Sequence, residues 1–242
     1  MKVETHVHTK YSKDSILCFW PLFLKLKLLR INVIAITEHN NIEGGVAFKE
    51  FCKKRKSNIQ VIVGSEIFSS QGEIIGLYLE KNIQPGLSAA ETIFEIKKQG
   101  GLVYIPHPYD VKRKKTVLEE NAIAENVGKI DCIEIHNGRN ISKEYDYKQN
   151  EIAVRYGIVP IIGSDAHTWS EIGRNYFQCD ETNFSTSDGF MKALVRAQFH
   201  SRDCLLIMHQ ITKIVKMFKM FRSGEINEVY RIIAKKIKRG KC

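Results

Sequence analysis

Histidines and carboxylates recur along this chain at spacings that suit divalent-cation chemistry. His6 and His8 straddle one residue, and Asp14 follows in the next polar stretch. Glu38-His39, Glu66, His107 (between Pro106 and Pro108), His136-Asn137 and the spaced pair Asp165 and His167 continue the series. Neutral imidazoles with carboxylates suit zinc, manganese or iron; a thiolate site needs closely spaced cysteines. Cys18, Cys52, Cys132, Cys179, Cys204 and Cys242 are scattered without a CxxC pair, and read as reduced thiols. His6, His8, Asp14, His39, Glu66, His107, Asp165 and His167 make eight candidate ligands, too many for one tetrahedral ion. They suit a cluster of two or three ions with at least one carboxylate bridging.

Such a set needs elements that bring distant residues to one place. Short β-branched apolar runs at 3–7, 33–37, 61–66, 74–79, 102–105, 132–135 and 159–162 predict strands. Helical patterns lie between them at 19–29, 46–56 and 88–99. The last opens as a Ser88-x-x-Glu91 capping box and stops at Gly100-Gly101. Apolar strands alternating with helices predict an α/β fold with a parallel sheet, either a barrel or an open doubly wound sheet. In such a sheet every strand ends on the same face, so residues that follow the strands converge there. Alternation turns His6 and His8 to one side, and Glu134 and His136 likewise.

A chain of 242 residues can bury one core as a single domain. No apolar run reaches the ~18–20 residues that span a bilayer. Motif chemistry begins within the first residues, leaving no room for a leader, so a cytoplasmic location is expected. The net charge of +10 is uneven: residues 205–242 hold ten Lys/Arg against Glu225 and Glu228, a balance of +8. The expected organisation is a catalytic domain over 1–204 and a basic helical extension over 205–242. In the extension Ile207, Ile211, Ile214, Val215, Phe218 and Phe221 recur at helical spacing, with Lys213, Lys216 and Arg222 on another face. A second basic helix is predicted over 225–238. The apolar stripe is expected to dock on the barrel and leave the lysines solvated; nucleic acid or an acidic surface is the competing partner.

The segments His6-Val7-His8-Thr9, Tyr11-Ser12-Lys13-Asp14, Ile36-Thr37-Glu38-His39-Asn40, Gly64-Ser65-Glu66, Ile105-Pro106-His107-Pro108, Ile133-Glu134-Ile135-His136-Asn137-Gly138-Arg139 and Gly163-Ser164-Asp165-Ala166-His167 resemble the PHP (polymerase and histidinol phosphatase) family. The resemblance implies a distorted seven-stranded (β/α) barrel with two or three divalent ions (Mn, Zn or Fe). By position, His6, His8, Glu66 and Asp165 would hold one ion, Glu66 and His107 a second, and Asp14, His39 and His167 a third. The implied activity is hydrolysis of phosphate esters by a metal-activated water, on a phosphorylated small molecule, a nucleotide or an RNA or DNA end. His39, Asp165 and His167 are the implied catalytic residues, with the leaving-group proton coming from His167, His39 or a metal-bound water.

Two departures stand out. Glu38, like Glu4, replaces a shorter aspartate of relatives, and Ile74-Ile75 occupies a stretch where relatives supply a further histidine to the second ion. That ion is then expected to lack a ligand or to be completed by water or His136. Arg139 and Arg174 are candidate phosphate clamps, because a guanidinium matches phosphate bidentately. His136 is expected to face substrate, whereas His200 and His209 lie outside every motif and read as structural. The competing functions are a non-catalytic metal-binding PHP module, a histidinol-phosphate-type phosphatase, and C–N hydrolysis in an amidohydrolase barrel.

Overall fold

The computed structural model describes residues 1–203 and 206–225. Nine strands among them form one nearly closed sheet: β1 Lys2–Val7, β2 Val33–His39, β3 Gln60–Ser69, β4 Gly72–Leu77, β5 Leu102–Ile105, β6 Cys132–Asn137, β7 Val159–Gly163, β8 Tyr176–Gln178 and β9 Gln198–His200. The helices are α1 Phe19–Leu29, α2 Glu43–Lys54, α3 Ala89–Lys98, α4 Glu120–Asn126, α5 Lys143–Tyr156, α6 Ser187–Val195 and α7 Leu206–Arg222. The α/β barrel-like architecture matches expectation; the count of seven strands does not. The short antiparallel pair β8–β9, joined through α6, adds to β1 on the side away from β2.

The sheet is also not wholly parallel. It runs β7-β6-β5-β4-β3-β2-β1-β8-β9, and β4 lies antiparallel to both β3 and β5. The C-terminal halves of β1 and β7 close the ring through His8 N to Ala166 O (2.9 Å), Ala166 N to His6 O (3.2 Å) and Ser164 N to Thr5 O (3.1 Å). Apolar side chains pack on both faces. Val3, Ala35, Ile62, Ile75, Tyr104 and Ile161 cluster with Phe177 and Phe190, while Ile34, Ile36 and Val61 pack against α1 and α2. Burying about 150–250 Å² per aromatic ring makes Tyr104, Phe177 and Phe190 large contributors to this core.

Local signals read from the sequence recur here. Ser88 accepts from Glu91 N while its own N–H donates to Glu91 Oε2, the predicted capping box. Gly100 follows with φ 72°, the left-handed stop. The extension agrees only in part. In α7, Ile207, Ile214, Phe218 and Phe221 are exposed, whereas Thr212 and Met220 are buried. Ile211 and Val215 of the same stripe are half-buried, so the stripe is covered only in part, while Lys213 and Lys216 stay exposed as expected. Lys219 anchors the helix by donating to the carbonyls of Lys10 (3.1 Å), Ser12 (2.8 Å) and Ser15 (2.6 Å). The second helix predicted over 225–238 lies, from residue 226 on, outside the described residues. No helix among the described residues is long and apolar enough to cross a membrane.

Candidate metal centre

The eight candidate ligands converge at the mouth of the sheet. His6 and His8 Nε2 stand 3.7 and 3.6 Å from Asp165 Oδ1 and 3.2 and 3.5 Å from the two oxygens of Glu66. His107 Nε2 lies 3.1 Å from Glu66 Oε1. Asp14 Oδ1 stands 3.4 Å from both His39 Nε2 and His167 Nε2. Ligand atoms that share an ion at ~2.1 Å sit about 3–4 Å apart, so these separations suit coordination. His6 Nε2, His8 Nε2 and Asp14 Oδ1 are buried without a hydrogen-bond partner. Orphaned buried atoms aimed into one space are what a bound cation would satisfy, so the donor set fits the metals that the resemblance implies.

The backbone bends to achieve this. β1 shifts register between Glu4 and Val7, and His6 adopts φ 59° inside that irregularity. His6 and His8 do share a side, their rings 5.2 Å apart, but through a bulge and not through plain alternation. His107 (φ 29°) and Asp165 (φ 48°) are likewise in the left-handed region that L side chains avoid. Glu66 stands within β3, not at its end, paired in register with His39.

A second layer sets each ring. Glu134 accepts from His6 Nδ1 (2.7 Å), His107 N (2.6 Å), Asn137 Nδ2 (2.9 Å) and the Tyr104 hydroxyl. Fixing the proton on Nδ1 leaves Nε2 of His6 as the free donor atom. Gly163 gives this carboxylate its room, since a Cβ there would fall 1.8 Å from Glu134 Oε1. Glu38 accepts from Thr9 N (2.9 Å), Thr9 Oγ1 and Ser12 Oγ, and so holds the loop that carries Asp14. Its extra methylene lies over Gly44, where a Cβ would fall 2.1 Å from Oε1. Glu4 does the same for Gly173 N (3.0 Å), and burial pushes its carboxyl up to about 8.

Charge at the centre is strongly coupled. Burial works against charge on His6 and His39, yet the carboxylates around them hold both imidazoles well above the usual range. Burial, reinforced by His167 and His39, holds His8 well below it. Glu66 and Asp165 stay ionised against burial, Glu66 through His6 and Asp165 through Arg113.

The remaining predicted residues scatter. Arg139 is buried in a bidentate pair with Glu171 (2.9 and 3.2 Å) and reaches Thr212 of α7 (3.3 Å). Glu171 in turn accepts from His167 N (3.0 Å), so Arg139 braces the His167 loop from the cavity wall. Arg174 instead donates through Nε to the Asp203 carbonyl (3.2 Å), away from the cavity. His136 also stands outside it: a register shift after Glu134 breaks the alternation, and its ring meets Asp146 Oδ1 (3.0 Å) and Asn175 Oδ1 (3.1 Å).

Three features escaped sequence reasoning. Arg113 lies in the cavity with Nη1 2.7 Å from Asp165 Oδ2 and Nε 3.2 Å from Asp110 Oδ2. The run Lys112-Arg113-Lys114-Lys115 was a visible signal for it. His209, expected to be structural, lines the same cavity together with Lys213 and Lys216. Glu73 joins Glu66 and His107, and burial beside Glu66 pushes its carboxyl up to about 7. The cavity measures about 1450 Å³.

A family model of the PHP domain matches residues 4–211, and the chain belongs to that family. It is 34% identical over 190 residues to the uncharacterised protein MJ0417 of Methanocaldococcus jannaschii, covering 78% of this chain and 74% of that one. MJ1587, an uncharacterised protein of the same organism, is 46% identical over 121 residues, 45% of this chain and 68% of the relative. Among solved structures, a two-domain Bacteroides vulgatus protein containing a predicted PHP-like metal-dependent phosphoesterase superposes with TM-score 0.67 at 19% identity. That likeness covers 84% of this chain and 65% of the longer protein, and at this identity it speaks for the fold.

Proposed function

We propose that this chain is a metal-dependent phosphoesterase acting on a nucleotide or a nucleic-acid end. One observation carries the reading: a floor of imidazoles and carboxylates and a rim of cations (Lys13, Arg113, Lys213 and Lys216 among them) share a single cavity. Divalent ions bound there would supply Lewis-acid neutralisation of phosphoryl oxygens and a lowered pKa for water.

The chain's own groups do the remaining work. Two or three ions would be held by His6, His8, Glu66 and Asp165, by Glu66 with His107, and by Asp14, His39 and His167. Arg113, paired with Asp165 and Asp110, lines the cavity and would present its remaining N–H groups to phosphate oxygens. In a two-ion centre, which leaves Asp14, His39 and His167 without metal, His39 and His167 line the cavity and are the groups from which a proton would pass to the leaving oxygen. His136 and Arg174 take no part in this reading, and Arg139 acts by bracing His167. In the reading that keeps residues 1–204 as the catalytic body, the start of the 205–242 extension contributes a wall through His209, Lys213 and Lys216. A volume above the ~300–1,000 Å³ of common ligand sites favours an extended, multiply charged substrate. A non-catalytic metal-binding module would have no use for the cationic rim.

The test is release of phosphate from nucleotides and 5′-phosphorylated oligonucleotides with added manganese, for the parent and for His8→Ala and Asp165→Ala. Turnover and metal content should both collapse in the variants. Undiminished turnover in both would sink the proposal, and cleavage of a dihydroorotate-like amide in place of any phosphate ester would move the chain to C–N hydrolysis.

A further inference from the structure

The antiparallel run of β4 has a consequence for the donor set. Parallel strands bring their last residues to the mouth, whereas β4 brings its first. Phe68 pairs with Glu73 and Glu66 with Ile75, so Glu73 stands one pleat nearer the rim than Glu66 and on the same face. Its Oε2 lies 3.6 Å from His107 Nε2, which itself stands 3.1 Å from Glu66 Oε1. Ligand atoms of His39, Glu66 and Glu73 fall within 4.8 Å of one another.

We propose that Glu73 is a ligand of the second ion, completing with Glu66 and His107 a carboxylate-rich position that discriminates less against manganese and ferrous iron than an imidazole-rich position does. The gap expected at Ile74-Ile75 is filled one residue earlier, by an oxygen donor where a nitrogen donor was anticipated. This rests on the metal-centre reading above and adds to it a ligand and its effect on metal choice.

Three observations support it. The Glu73 side chain is only 12% exposed, and two carboxylates converging in a buried site repel unless a cation stands between them. Arg113, the guanidinium beside them, is already engaged by Asp165 at 2.7 Å and Asp110 at 3.2 Å. The backbone of Glu73 is also fixed, its N–H donating to Thr116 O at 2.7 Å, so the loop that carries Arg113 and the strand that carries Glu73 are tied together. Two carboxylates with a single imidazole form a harder donor set than Asp14, His39 and His167, and a harder set narrows the advantage of zinc over manganese and ferrous iron.

The experiment strips the full chain of metal and titrates it separately with Mn2+ and with Zn2+. Bound metal is counted by mass spectrometry, and free Mn2+ is followed by its paramagnetic resonance. Parent, Glu73→Gln and Glu73→His are compared. Glu73→Gln should lose one equivalent of manganese or bind it at least about tenfold more weakly. Glu73→His should bind the full number of ions with its preference moved towards zinc, which also separates a lost ligand from a damaged fold. Unchanged manganese stoichiometry and affinity in Glu73→Gln would overturn the role of Glu73. A parent chain that takes up neither ion would overturn the metal centre itself.

Discussion

Two imidazoles at the centre are held by one nitrogen so that the other is presented to its neighbours. His6 gives Nδ1 to Glu134 at 2.7 Å, and His167 gives Nδ1 to the Asp165 carbonyl at 2.8 Å. The ligands themselves were legible in the sequence because histidine and carboxylate at strand ends have few structural uses. Their supports were not legible. Glu134 was visible only as part of a motif, and nothing in its spacing says that it would lie beneath His6 and accept four donors. Replacing it by glutamine removes one acceptor oxygen and turns an amide N–H₂ towards donors. Glu134→Gln should therefore bind metal about 10–100-fold more weakly while the eight ligands remain in place, as measured by competitive chelator titration. Affinity equal to the parent's would mean that His6 needs no such orientation.

At the scale of elements, periodicity located the strands and the helices 19–29 and 88–99 well, because burial on one face leaves a readable pattern. It failed where direction or facing decides. An antiparallel β4 and a parallel one have the same apolar run, so the sequence could not show that Glu73 would reach the mouth. In α7 the amphipathic pattern was read correctly, but only part of its apolar stripe is covered. One tie to the barrel is polar: Lys219 is buried enough that its ammonium is held below the usual lysine range, and it satisfies three backbone carbonyls of the Asp14 loop. Lys219→Ala leaves those carbonyls without their charged donor, a loss of about 1–3 kcal/mol at the junction. Amide hydrogen exchange in α7 and in residues 10–15 should rise together in this variant. If α7 alone loosens, the lysine does not tie the two segments.

For the molecule as a whole, metal and proton compete for one set of groups. Free of metal, three imidazoles (His6, His39 and His107) are held above their ordinary range, while burial holds His8 and His209 below it. A raised imidazole adds stability that is complete below its unfolded value of ~6.5 and is lost as pH rises through the folded value. His8 and His209 run the opposite way but are outnumbered. The metal-free melting temperature should accordingly fall as pH is raised from 6 to 8. Saturating manganese should raise the melting temperature by more at pH 8 than at pH 6, since binding must expel those protons. A metal-induced shift that is equal at both pH values would contradict proton competition.

The left-handed backbone at His6, His107 and Asp165 also bears on how this chain can change over generations. Each such residue costs of the order of 1–3 kcal/mol that glycine would largely avoid. A lineage that ceased to use the centre would find glycine at these positions a stabilising substitution and would drift towards it. Relatives that use the centre should therefore hold non-glycine residues at these three positions, and relatives that have lost it should show glycine there, a contrast readable without knowing the substrate.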